Sequence, residues 1–116
     1  MRKKAIILFL IFSLGLSAFL YAAQTITISG LSIPLIEGAT HVDEQDTPNV
    51  KVETFSAQKP MSEVSAFYSA YLNTNGFLLI GGANPDGFDA SVKKGAAMFT
   101  LKIYSRGKLT FIRFIW

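Results

Sequence analysis

The chain has 116 residues, half of them hydrophobic, with eleven basic side chains, eight acidic ones, one histidine and no cysteine. The missing cysteine excludes disulfides, a lipidation cysteine, thiol catalysis and Cys-ligated zinc, so stability has to come from apolar packing. The length suffices for a single domain with one modest core.

Met1-Arg2-Lys3-Lys4 is a positive leader followed by an apolar run from Ala5 to Leu20, closing at Tyr21-Ala22-Ala23. This is the layout of a secretory signal, with small residues where a peptidase would cut. The expectation is a signal peptide over 1–23, an extended arm over 24–36 and a single α+β domain over 37–116. The product would be exported, to the periplasm or beyond. The box is imperfect, because cutting after Ala23 or Ala22 puts Tyr21 or Leu20 where a small residue is preferred. An uncleaved anchor is the alternative, and it would be the chain's only membrane contact. Without Arg2, Lys3 and Lys4 the acids and bases balance. No surplus of positive charge remains for nucleic acid. From Gln24 to Asn75 six acids face two bases, and from Gly76 to Trp116 six bases face two acids. That polarity fits either attraction between two halves of one domain or a basic binding surface.

In the arm, Ile26 and Ile28 alternate with Thr25, Thr27 and Ser29, which fits an edge strand, and Pro34 makes Leu31 to Ile36 an extended lead-in. Glu37 to Asn49, with four acids, His41 and Pro48, reads as an exposed loop, and Val50 to Phe55 as a strand. The clearest element is a helix from about Pro60 to Asn75. Met61, Val64, Phe67, Tyr68, Tyr71 and Leu72 form its apolar stripe, and Asn75-Gly76 its stop. Phe77 to Ile80 reads as a short strand and Gly81 to Gly87 as a turn-rich loop, with a further short strand over Phe88 to Val92.

Two longer strands, about Ala97 to Ser105 and Lys108 to Trp116, flank a turn at Arg106-Gly107. That turn would set Ile103 opposite Thr110, Leu101 opposite Ile112 and Phe99 opposite Phe114 on one apolar face. Met98, Thr100, Lys102 and Tyr104 would share the other face with Leu109, Phe111, Arg113 and Ile115. The expected architecture is an antiparallel sheet of about four to five strands with one helix packed across one face.

No catalytic constellation is present: there is no nucleophile elbow, no second histidine, no Walker loop and no cofactor fingerprint. His41 beside Asp43, Glu44 and Asp46 is too few oriented ligands for a closed transition-metal site, and Asp86-Gly87-Phe88-Asp89 lacks the ligand spacing of an EF-hand. No catalytic residue, metal or cofactor is assigned. Met98, Lys102, Tyr104, Phe111 and Arg113 remain as the candidate binding residues. Uncovered, they form an apolar patch rimmed by positive charge; with the arm folded over them, they form a second core.

The function expected is a non-catalytic envelope module that binds a protein or envelope ligand, with the oligomeric state open. One alternative is a small metal-dependent or hydrolytic enzyme built on the acidic loops, which needs His41 in a pocket with several of Asp43, Glu44, Asp86 and Asp89. Another is an oligomeric outer-membrane element, because Thr110, Ile112, Phe114 and Trp116 alternate up to a terminal aromatic.

Ile33-Pro34, Gly38-Ala39, a strand over Val50 to Phe55, Ser62-Glu63-Val64 leading into Phe67-Tyr68, then Leu72 and Gly76-Phe77 follow one another in order. The series resembles small exported bacterial proteins of unassigned function, in which a Phe-Tyr helix, a leucine and a Gly-aromatic pair precede a sheet. The resemblance covers Ile33 to Trp116 and implies core and cap positions, with no catalytic residue.

Overall fold

A computed structural model describes residues 24–116. The expected signal segment lies outside the described residues. The chain runs β1 (Thr25–Ile28), β2 (Leu31–Pro34), β3 (Thr40–Asp46), β4 (Lys51–Ala57), α1 (Met61–Thr74), β5 (Leu78–Asn84), β6 (Gly87–Lys94), β7 (Ala97–Arg106) and β8 (Leu109–Ile115). β1 and β2 form a two-stranded sheet, and the other six form an open antiparallel sheet in the order β3-β4-β8-β7-β6-β5. Among the described residues the architecture is α+β with one helix and an antiparallel sheet.

The main sheet has six strands where four to five were expected, β3 being the addition, and β5 runs further than expected. β3 is a strand where an acidic loop was expected, and every residue in it is exposed. An edge strand with no buried face carries no apolar alternation, and its charges discourage edge-to-edge pairing with other chains. β5 continues through Gly81-Gly82, where a turn was expected. There the strand approaches its neighbour so closely that a Cβ on Gly81 would collide with the Asp89 carbonyl.

Alternation along the central strands divides the sheet into two faces. The inner face presents Phe55 and Ala57 from β4, Thr110, Ile112 and Phe114 from β8, Phe99, Leu101 and Ile103 from β7, and Phe88, Ala90 and Val92 from β6, all buried. α1 lies across β5, β6 and β7 and buries Val64, Tyr68 and Leu72 there, with Met61, Phe67 and Tyr71 half-buried around them. Its stripe and span are those expected. Pro60 sits at the N-cap, one position earlier than a first-turn proline. At the other end Asn75 donates its amide to the Tyr71 carbonyl, and the Phe77 amide reaches back to the Leu72 carbonyl, closing a Schellman turn on Gly76.

The arm is more than extended chain. β1 and β2 form a tight hairpin over Ser29-Gly30, both with left-handed φ, as a type I′ turn requires. It buries Ile26, Ile28 and Ile33 in the same core as the helix, followed by Leu35 and Ile36. Tyrosines of α1 hold it: Tyr68 donates to the Pro34 carbonyl at 3.0 Å, and Tyr71 to the Ser32 carbonyl at 3.3 Å. Hairpin and helix thus occupy the same side of the sheet.

The β7–β8 turn falls one residue later than expected. Gly107, at φ 64°, and Lys108 form the loop, with Arg106 opposite Leu109. Glycine suits the first loop position of a type II′ turn, which places it after Arg106 rather than after Ser105. The register therefore shifts by two residues, setting Ile103 opposite Ile112 and Leu101 opposite Phe114. A shift of two leaves each side chain on its expected face.

Candidate functional site

The outer face of the sheet has no covering element among the described residues, because hairpin and helix both lie on the inner side. Pairing across β5, β6, β7, β8 and β4 arranges its side chains in rows. Leu78, Lys93 and Met98 form the first, and Ile80, Ser91, Thr100, Ile115 and Val52 the second. Asp89, Lys102, Arg113 and Thr54 form the third, and Tyr104, Phe111 and Ser56 the fourth.

These rows give the face a layered character. The first two mix exposed apolar side chains, Leu78 at 59 %, Met98 at 58 % and Ile80 at 69 % of full exposure, with Lys93 between Leu78 and Met98 and with Ser91 and Thr100. The third is charged. Lys102 stands directly opposite Arg113, two cations across one strand pair, and that juxtaposition is tolerated because each has another partner. Lys102 lies 3.9 Å from Asp89, and the Arg113 Nε–H donates to Thr54 Oγ1 at 3.3 Å. The fourth is aromatic. Tyr104 and Phe111 stack nearly parallel, with centroids 5.5 Å apart and planes 9° from each other. The Arg113 guanidinium lies 5.6 Å from the Tyr104 centroid, within cation–π range.

Met98, Lys102, Tyr104, Phe111 and Arg113 thus come together on one face, and the corrected register is what places Tyr104 against Phe111 and Lys102 against Arg113. The arm does not cover them. Val52, Leu78 and Ile80 extend the surface beyond the residues recognised from sequence. Their signal was weak, because Leu78-Leu79-Ile80 is a continuous apolar run in which only the sheet distinguishes inward Leu79 from its outward neighbours.

The acidic segments separate. His41 and Glu44 lie on β3, at one edge of the sheet, while Asp86 and Asp89 lie at the turn and strand of the opposite side, on the β5–β6 hairpin. The pocket that the enzyme alternative needs does not form from these residues. A concavity of about 500 Å³ at the N-terminal end of α1 is lined by Lys59, Met61, Ser105, Lys108 and Thr110 among others, with no histidine and no carboxylate.

One group does converge. His41, Glu44 and Glu53 place a ring nitrogen and two carboxylate oxygens within 4.8 Å of one another on the inner side of the β3–β4 edge. The third member, Glu53, comes from the neighbouring strand and was invisible in the sequence around His41.

No protein family, curated protein or solved structure matches the chain. The site therefore has to be interpreted from its own chemistry.

Proposed function

We propose that the protein is an exported, non-catalytic module that binds a partner through the outer face of its sheet, and that this partner is a protein of the cell envelope. The observation that carries the reading is the uncovered apolar surface around Met98, Leu78 and Ile80 beside the ordered Arg113–Tyr104–Phe111 stack. Exposed apolar side chains bordered by aromatic and arginine groups are the composition of interface centres, where binding energy concentrates. Arginine already fixed by Thr54 and Tyr104 loses little conformational freedom on docking.

Two observations weigh against the alternatives. The separation of His41 and Glu44, on β3, from Asp86 and Asp89, on the β5–β6 hairpin, weighs against an enzyme that draws on both acidic segments. A lipid-facing barrel surface would have to carry the charged row of Asp89, Lys102 and Arg113 partway along its strands, where charge is costly in hydrocarbon.

Photo-crosslinking in intact cells tests the reading. A photoreactive residue replacing Met98 is expected to give one discrete adduct, abolished by Arg113→Glu, while the same residue replacing Ser62 on the exposed side of α1 gives none. Equal adducts from both positions, or an adduct indifferent to Arg113→Glu, would refute it.

A further inference from the structure

We propose that His41, Glu44 and Glu53 form a binding site for a divalent transition cation of the zinc type. It lies at the β3–β4 edge and does not depend on the outer face. His41 Nε2 is 3.6 Å from Glu53 Oε1 and 3.8 Å from Glu44 Oε1. Ligand bonds of ~2.0 to 2.1 Å in a tetrahedral site set its donor atoms roughly 3.3 Å apart, so small side-chain rotations bring these three onto one ion. The fourth position would be left to water.

Three features argue that the group is more than a negative patch. The first is a break in the strand. Residues three apart on a regular strand point to opposite faces, yet His41 and Glu44 share one, because the ladder register slips between His41 and Asp43 and leaves Val42 as a bulge. The second is the pairing. Glu44 stands directly opposite Glu53, a like-charge pair that destabilises a ladder and that a cation between its members would relieve. The third is the imidazole, which brings a nitrogen donor and is oriented by edge-on contact with Phe55 at 5.2 Å. One nitrogen and two carboxylate oxygens suit zinc and its transition-metal neighbours, whereas calcium prefers a shell of oxygens alone. Two carboxylates and a neutral imidazole also match the charge of a divalent ion.

Such an ion would clip the fully exposed β3 to β4, so binding and edge stability should be linked. The competing explanation is that a protonated His41 itself bridges the two carboxylates and no metal enters.

The test is titration of the full-length, tag-free, metal-stripped chain with zinc chloride, followed by calorimetry and by the imidazole NMR signals of His41, the sole histidine. Expected are one zinc per chain, a shift of the imidazole resonances and a higher unfolding temperature. Glu53→Gln, isosteric and at a partly exposed position, should weaken binding by more than roughly tenfold. Asp86→Asn, at the other side of the sheet, should leave it unchanged. No heat and no imidazole shift would overturn the proposal in favour of the imidazolium bridge. Equal binding of calcium, or zinc binding indifferent to Glu53→Gln, would overturn it in favour of diffuse attraction by the acidic edge.

Discussion

The Tyr68 hydroxyl donates to the Pro34 carbonyl at 3.0 Å while accepting the Ile36 amide at 3.3 Å, so one helix side chain satisfies two backbone groups at the end of the N-terminal hairpin. The Tyr68 ring is fully buried and packs edge-on against Phe114, with centroids 5.9 Å apart. Hairpin, helix and sheet therefore meet at this residue.

Tyr68→Phe keeps the ring and removes both hydrogen bonds. The buried Ile36 amide then has no partner, which is expected to cost about 1 to 3 kcal/mol. Urea unfolding should show that loss with an unchanged m-value, and hydrogen exchange should rise at Ile36 before it rises in β7 and β8.

The same burial makes stability sensitive to alkali. Desolvation pushes the Tyr68 hydroxyl well above its ordinary range, against a smaller lowering by the Ile36 amide. The folded chain holds the proton where the unfolded chain releases it. This contribution is full below about pH 10 and falls as pH rises further, by about 1.4 kcal/mol per unit, until the folded hydroxyl itself ionises. Unfolding free energies measured between pH 9 and pH 11 should fall more steeply in the parent than in Tyr68→Phe.

Gly87 opens β6 at φ 147°, where an added Cβ would collide with the Ile103 carbonyl of β7. Gly87→Ala must strain the backbone or part the strands, and a loss of about 3 kcal/mol is expected. Thermal unfolding checks this. A change within experimental scatter would mean that the β6–β7 ladder is looser than its pairing implies.

On the outer face, Tyr104 and Phe111 should couple energetically. A double-mutant cycle through Tyr104→Ala and Phe111→Ala is expected to give about 0.5 to 1.5 kcal/mol of interaction energy, the range for well-placed aromatic pairs. Zero coupling would mean that the stack is not maintained in solution.

What could be read without the fold was what local chemistry enforces. α1 was legible because its apolar residues recur at helical spacing and Asn75-Gly76 ends the pattern. The inner and outer faces of β7 and β8 were legible because alternation survives a register shift of two. β3 was not, since a strand exposed on both sides obeys no hydrophobic period. Nor was the continuation of β5 through Gly81-Gly82, because glycine pairs are far commoner in turns, and only the approach of the Asp89 backbone shows why Gly81 stands in a strand here.

The sequence by itself determined that the chain lacks disulfides, carries one amphipathic helix and ends in a strong apolar hairpin. All three follow from residue type and spacing along the chain. Only the tertiary structure decided that the N-terminal hairpin joins the helix on the inner side, leaving Met98, Lys102, Tyr104, Phe111 and Arg113 uncovered. It also decided that Glu53 meets His41 and Glu44 across a bulge. Those outcomes depend on which strands neighbour each other and on where buried hydroxyls find carbonyls, relationships between residues far apart in the chain that no local pattern encodes.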